Sequence, residues 1–291
     1  MSEYRWLVTG AGGQLGSQFS EALHSGGHNY IALTRSELDI TDSTSVTLAL
    51  EKFQPTHIVN CAAWVDVEGA EDKEPATFAL NAFALKNFVE YAKMADALVV
   101  NFSTDYVFNG EKVSPYLPSD TVDPLNVYGR SKAAGEELLH DALPQNAVTF
   151  RTSWLMGTSA SNFIYRMGER ALLDGAVNVV NDQCGVPTSC RELSETIISA
   201  LQKGRITGIR HLTNSGQATR YEWAREIYSL LGADPKLVTA VSSAELPTKA
   251  KRPQYSVLSN SENELLGLEK LLPWQEALAI SPAISELRSR G

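Results

Sequence analysis

Tyr128 and Lys132 stand four residues apart in the run Asn126-Val-Tyr-Gly-Arg-Ser-Lys132. On a helix, residues i and i+4 share a face, so this spacing sets a phenol beside an ammonium. A free tyrosine has a pKa of about 10 and is a slow proton donor near neutrality. A cation held beside it favours the phenolate and lowers that value. The pair then becomes a tunable acid that can protonate a carbonyl oxygen. Upstream, Phe102-Ser-Thr104-Asp105 offers a hydroxyl that can donate a hydrogen bond to the same oxygen. Tyr-x-x-x-Lys by itself is common on ordinary helix faces. It gains force here from a nucleotide-binding signature earlier in the chain.

That signature is Thr9-Gly10-Ala-Gly-Gly13-Gln14-Leu15-Gly16. Gly10, Gly13 and Gly16, three residues apart, permit a tight turn, close approach to a pyrophosphate and close helix–strand packing. The following helix start adds N–H groups and partial positive charge for phosphates. The pattern matters because it joins a predicted strand, Arg5–Thr9, to a predicted helix from Gln14 to His24. A second strand is expected at Tyr30–Thr34, and it runs into Arg35 where NAD-selective sites carry an acid. A guanidinium suits a 2′-phosphate, so Arg35 predicts NADPH over NADH; its other reading is a solvated loop arginine with either cofactor accepted.

Further strands are predicted at His57–Cys61, Leu98–Phe102 and Val148–Thr152, with a helix after Asp42 or Ser43, a long helix over Pro75–Ala95, and a helix carrying Tyr128. Short apolar strands alternating with helices imply a Rossmann-type α/β fold, a doubly wound parallel sheet. Beyond residue 157 the pattern loosens. Helices are expected at Asn162–Leu173, Arg191–Gln202 and Tyr221–Leu231, and strands at Val177–Val180 and Arg210–Thr213. This predicts a dinucleotide-binding domain over 1–157, to which the chain returns around 186–208, and a smaller mixed α/β substrate-binding domain mainly over 158–291.

The chain has 291 residues and a net charge of -9, which argues against a nucleic-acid partner. No apolar run approaches the roughly 20 residues that cross a bilayer. The N-terminus, Met1 to Arg5, runs into a strand without a signal-peptide h-region. Cys61, Cys184 and Cys190 are odd in number and lack a CxxC pair. These features predict a cytoplasmic location and neither disulfides nor a zinc site. The five histidines show no ligand spacing, so no metal site is assigned to them.

Thr104, Tyr128 and Lys132 form the hydroxyl–tyrosine–lysine set of the short-chain dehydrogenase/reductases, and the glycine spacing resembles the extended branch of that superfamily. Ser103-Thr-Asp-Tyr-Val-Phe108 and Pro124-Leu-Asn-Val-Tyr-Gly-Arg-Ser-Lys132 resemble the dTDP-4-dehydrorhamnose reductase family. Supporting segments follow in order: Asn60-Cys-Ala-Ala63, Ala134-Gly-Glu136, Arg151-Thr-Ser-Trp154, Asn181 to Thr188, Tyr221 to Ile227, Lys251-Arg-Pro253 and Leu272-Pro-Trp274. The resemblance spans nearly the whole chain.

It implies an NAD(P)H-dependent oxidoreductase, a 4-ketoreductase converting dTDP-4-dehydro-L-rhamnose to dTDP-L-rhamnose. Hydride would reach C4, Tyr128 would protonate the alkoxide, and Thr104 would hydrogen-bond the same oxygen. Lys132 would lower the tyrosine pKa and bind the nicotinamide ribose. Asp39 and Ile40 would lie near the adenine, and Cys61, Ala62 and Ala63 along the cofactor, beside Gly10, Gly13, Gln14, Leu15, Gly16 and Arg35. Trp154, Asn162 and Arg252 would contact the sugar or the diphosphate, with Asp105 among the substrate residues. Each has a plainer reading: Trp154 as a core aromatic, Asn162 as a helix cap, Arg252 as a solvated loop charge, Asp105 as a loop fastener bonding backbone N–H groups.

Some members form a homodimer bridged by magnesium through glutamates. One of those positions is Gln18 here, Glu192 matches a second, and the C-terminal Arg288-Ser-Arg-Gly291 offers no evident third. An amide is a poorer ligand for a hard cation than a carboxylate, so magnesium and the homodimer stay open. Two other readings share these residues. One is a 4-ketoreductase for another deoxysugar. The other is a non-catalytic cofactor-binding protein resembling the regulatory β subunit of methionine adenosyltransferase, against which the set Thr104, Trp154 and Arg252 argues.

Overall fold

The computed structural model describes residues 4–158 and 162–290. The parts of the terminal readings that fall on Met1–Glu3 and Gly291 lie outside the described residues. In chain order the first elements are β1 (Arg5–Thr9), α1 (Gln14–Ser25), β2 (Asn29–Leu33), α2 (Ser43–Phe53), β3 (His57–Asn60), α3 (Val67–Asp72), α4 (Glu74–Asn81), α5 (Lys86–Ala95), β4 (Leu98–Thr104), α6 (Val127–Ala142) and β5 (Ala147–Thr152). Then follow β6 (Leu155–Met156), α7 (Phe163–Leu172), β7 (Val177–Val180), β8 (Cys184–Gly185), β9 (Thr188–Ser189), α8 (Cys190–Lys203), β10 (Gly208–His211), β11 (Ala218–Thr219), α9 (Arg220–Leu230), β12 (Val238–Val241), α10 (Trp274–Ala279) and α11 (Pro282–Arg288).

Six strands form one parallel sheet in the order β10-β5-β4-β3-β1-β2. β3, β4 and β5 are buried at every position, as expected of parallel strands covered on both faces. On one face Trp6, Val8, Phe102 and Phe150 pack with Phe19 of α1 and Leu193 and Ile197 of α8. On the other, Leu7, Ile58 and Val99 pack with Val46 of α2, Phe88 of α5 and Leu139 of α6. A separate cluster gathers Tyr165 of α7, Trp223 and Tyr228 of α9, Trp274 of α10 and Leu287 of α11. The chain runs outward from β1 to β2 and in the opposite direction from β3 onward. The carboxyl ends of β1 and β3 therefore mark the topological switch point where such sheets bind ligands.

Two expectations change. The long helix predicted over Pro75–Ala95 is broken: α4 stops at Asn81, a short 3-10 turn covers Phe83–Leu85, and α5 begins at Lys86. The Asn81 side chain causes the break by taking up long-range partners. Its oxygen accepts from Trp64 N–H, while its amide donates to Trp64 C=O and to Ser131 Oγ on α6. Ala82 then leaves helical geometry at φ -120°. The strand expected at Arg210–Thr213 is β10, and it pairs in parallel with β5 as the sixth strand of the main sheet. Its apolar neighbours Ile206 and Leu212 join the same core as α1 and α8.

Candidate active site

The glycine loop turns at the end of β1. Gly10 has φ +64°, and a Cβ there would lie 2.6 Å from the Ala62 nitrogen. Only glycine meets both demands, since left-handed backbone disfavours a side chain and the neighbouring chain leaves no room for one. Gly16 packs α1 onto the loop; its Cβ would meet Gly10 C=O at 2.3 Å. Gly13 precedes α1 with extended backbone and no side-chain cap. The first-turn N–H groups, which have no intrahelical partners, thus stay free where Gly13, Gln14 and Leu15 line a groove. This arrangement fits a dinucleotide pyrophosphate.

The groove has three arms of about 770, 440 and 870 Å³, each in the range of small-molecule sites. Gly10, Gly13, Arg35, Asp39, Ile40 and Cys61–Ala63 line the first. Gln14, Leu15, Thr104, Asp105, Tyr128, Lys132 and Trp154 line the central arm. Arg252 lines the outer one. Cys61 and Ala63 face both the first arm and the central one, and Val67, Tyr106 and Arg220 face both the central arm and the outer one.

The Arg35 side chain is 84% exposed and only 4.0 Å from Asp39 Oδ2. The Asp39 carboxylate itself accepts from Thr41 N–H and Oγ1. Burial pushes the Cys61 thiol up, which keeps it neutral in the groove wall.

In the central arm, α6 is capped by Asn126, whose side chain accepts from Gly129 N–H and donates to Lys251 C=O. This cap fixes the first turn, which carries Tyr128. A Cβ on Gly129 would strike Tyr106 C=O at 2.2 Å, so α6 lies directly on the loop after β4. Thr104 Oγ1 donates to Asp105 Oδ1 at 3.0 Å and accepts from Tyr106 N–H. Asp105 Oδ2 accepts from Ser256 Oγ at 2.5 Å. The Asp105 carboxylate thus holds two side-chain hydroxyls, where the plainer sequence reading expected backbone N–H groups.

Burial pushes the Tyr128 phenol above its ordinary range; hydrogen bonding from Thr104 pulls it back, while Asp105 and Tyr106 push it further up. Burial lowers Lys132 to about 8, against the charge of Glu136. The lowering of Tyr128 expected from Lys132 is not found: desolvation and the neighbouring carboxylate push the phenol up, and the pull back comes from Thr104. Desolvation raises Asp105 to about 6, against Ser256, Thr104 and the Arg220 charge. Ser103 Oγ and Thr152 Oγ1, both lining this arm, are buried without a hydrogen-bond partner among the described residues. Such orphans favour a polar ligand.

Trp154 stands at φ +43°, and Gly185 makes room for its ring, since a Cβ there would lie 2.7 Å from it. Arg220 stacks on Trp154 with 3.7 Å between guanidinium carbon and ring centroid. The sequence reading missed Arg220, which sits at the start of α9 behind the Thr219–Glu222 capping box. The Thr-x-x-Glu pattern marks that helix start in the sequence, but nothing local aims its first residue at Trp154. Arg252 donates to Ala250 C=O and pairs with Glu68 at 2.7 Å on the outer wall. Asn162 caps α7 through Tyr165 N–H and also donates to Gln14 Oε1 and Gly157 C=O. It acts there as a tie to the glycine-loop helix, with both amide atoms engaged.

Gln18 donates to Glu21, and among the described residues no group of three or more His, Cys, Asp or Glu could hold a metal. No helix among the described residues is long and apolar enough to cross a membrane.

Comparison with known proteins adds to this geometry. The family model described as the RmlD substrate binding domain matches residues 4–286. A dTDP-4-keto-6-deoxy-D-glucose reductase of Streptomyces niveus is 39% identical over 274 residues, covering 94% of this chain and 95% of that protein. A dTDP-4-dehydrorhamnose reductase of Streptomyces griseus is 38% identical over 292 residues, covering 98% and 96%. The solved structure of dTDP-4-dehydrorhamnose reductase from Bacillus anthracis, in complex with NADP, is similar with a TM-score of 0.90 and 30% identity, covering 99% and 100%.

Proposed function

Because the chain belongs to the RmlD substrate-binding family, a family of dTDP-deoxysugar 4-ketoreductases and their relatives, we propose that it is an NADPH-dependent reductase of dTDP-4-dehydro-L-rhamnose. The observation that carries this reading is one groove joining the glycine cradle to Thr104, Tyr128 and Lys132, and onward to Arg220 and Arg252. When bound, the reduced nicotinamide supplies the hydride. The chain supplies the rest. Tyr128, kept protonated by burial, hands its proton to the oxygen at C4. Thr104 stabilises charge on that oxygen through its hydroxyl. Lys132, near 8, is charged over neutral by roughly ten to one at pH 7 and favours the phenolate as it forms. Trp154 and Arg220 wall the sugar, and Arg220 and Arg252 face the diphosphate.

The test is NADPH oxidation with dTDP-4-dehydro-L-rhamnose against other dTDP-linked 4-keto sugars. The rhamnose precursor is expected to give the highest kcat/KM. The relative that reduces dTDP-4-keto-6-deoxy-D-glucose is about as similar to this chain as the rhamnose reductase, which makes that sugar the comparison that matters. A preference for it would move the assignment to another deoxysugar. Cofactor binding without turnover of any sugar would favour the non-catalytic reading.

For the cofactor, an exposed Arg35 on the first arm supports a 2′-phosphate contact. Charge-assisted hydrogen bonds are worth about 1.5–3 kcal/mol. Arg35→Ala should therefore raise KM for NADPH on the order of tenfold or more and leave KM for NADH unchanged. Equal wild-type efficiency with both cofactors would remove the preference.

A further inference from the structure

We infer that Glu68 is a built-in counter-ion that holds Arg252 between turnovers and yields it to the substrate's diphosphate. The exchange sets how tightly the nucleotide sugar binds and how readily the product leaves. This rests on the proposed nucleotide-sugar reduction and adds what that reading leaves open, namely how a groove lined with cations releases its product.

The outer arm is cationic in a chain whose net charge is -9. Arg166, Arg170, Arg220 and Arg252 line it. Among the described residues, Arg252 alone of these four has a carboxylate within ion-pair distance. Its Nη2 lies 2.7 Å from Glu68 Oε1, with the arginine side chain 20% exposed and the glutamate 42%. Glu68 belongs to α3, and Val67 beside it lines both the central arm and the outer one. The pair therefore stands where a sugar in the central arm would join a diphosphate in the outer arm.

The pair is close but poorly made. Glu68 Oε1 is shut off from water, and no hydrogen bond reaches it among the described residues. A buried carboxylate oxygen in that state lacks a bond it could make, which weakens the pair. Arg252 donates one N–H to Ala250 C=O, and a guanidinium has five. A diphosphate offers it oxygens in the fork geometry that a guanidinium matches, a stronger engagement than one misaligned carboxylate oxygen. The exchange therefore runs towards the diphosphate when it is present and back to Glu68 when it leaves.

Only the guanidinium needs to move. Glu68 Oε2 accepts from Lys249 N–H at 2.9 Å, and Lys249 Nζ pairs with Asp72 of the same helix. Asn126 holds Lys251 C=O at 2.8 Å. On the other side of Arg252, Gly110 packs so closely that a Cβ there would lie 2.6 Å from Pro253 Cβ. The backbone around Arg252 is thus pinned to α3, to the cap of α6 and to the Gly110 turn. Glu68, anchored through its other oxygen, stays in place for the return of the guanidinium.

The test is calorimetric titration of the full-length protein with dTDP, which carries the diphosphate without the ketone. Glu68→Gln keeps the side-chain shape and removes the competing charge. It should tighten dTDP about two- to fivefold, the range of a partly exposed ion pair. In the Arg252→Gln background the same substitution should give no gain, since its effect runs through Arg252. In steady-state reduction, Glu68→Gln should lower KM for the 4-keto sugar, and the product should inhibit at a correspondingly lower concentration. Unchanged dTDP affinity in Glu68→Gln would overturn the exchange. So would a weakened one, which would make Glu68 a support that aims Arg252. A gain that persists without Arg252 would overturn it as well, leaving simple repulsion between Glu68 and the ligand. If the wild type binds dTDP and reduces no 4-keto sugar, the proposed reduction fails and the titrations still decide the exchange. If it binds no dTDP, both fall.

Discussion

Tyr128→Phe is expected to lower kcat by about 10²–10⁴-fold, the usual contribution of a positioned proton donor, with cofactor affinity retained. The ring is held by the fold and not by its oxygen. It meets the Tyr106 ring edge-on with centroids 6.1 Å apart, and the Asn126 cap fixes the backbone on either side. A phenylalanine can keep both contacts. What disappears is the phenol proton itself, at about 1.4 kcal/mol of barrier per tenfold in rate. Burial that raises the phenol keeps the donor protonated when substrate arrives, at the cost of a weaker acid in the transfer itself. It would slow the reverse oxidation, which needs the phenolate, so the reverse rate should climb with pH across the neutral range while the forward rate does not. Cofactor titration by fluorescence and steady-state kinetics in both directions check this. Near-normal kcat in the variant would remove Tyr128 as the donor.

The parts that could be read from residues alone are those whose cause is local. Three glycines at fixed spacing state a backbone demand, and Gly10 meets it with a positive φ and no room for a Cβ. Apolar runs ended by turn residues marked all six strands of the main sheet to within two residues, though the last was not placed in that sheet. The i, i+4 pair on α6 follows from helical periodicity. The failures have long-range causes. α4 and α5 separate because Asn81 bonds Trp64, 17 residues away. β10 belongs to the main sheet because it finds the open edge of β5, which no short window encodes. Arg220 enters the site only because α9 starts against Trp154, and Trp154 is aimed there by a backbone conformation rare outside glycine. Lys132 illustrates a subtler limit. Its spacing from Tyr128 was legible, but the balance between a cation's pull and the cost of burial depends on how much protein surrounds both groups.

Glu136→Gln should damage the protein twice, and the two effects can be measured apart. Glu136 of α6 and Arg151 of β5 form a bidentate pair at 2.9 and 2.6 Å, each side chain 3% exposed. Removing one charge leaves the other buried without compensation, a loss of about 3–5 kcal/mol. The Pro118 carbonyl that Arg151 also reaches at 3.2 Å cannot replace a carboxylate. Denaturant unfolding should show that loss. The second effect concerns Lys132, one helical turn before Glu136. Burial lowers Lys132 and the Glu136 charge opposes the fall, leaving it at about 8. Without that charge the value drops further, so less of the ammonium survives at pH 7. A function that needs Lys132 protonated is lost as pH rises through its pKa. The alkaline decline of kcat should accordingly begin at lower pH in the variant than in the wild type. If stability falls and the decline stays where it was, Glu136 serves Arg151 alone and Lys132 is tuned by its other surroundings. If both move, one buried carboxylate holds β5 to α6 and also sets the charge of the residue beside the proton donor. The structural pair and the catalytic pair would then share a helix face because their energetics are coupled.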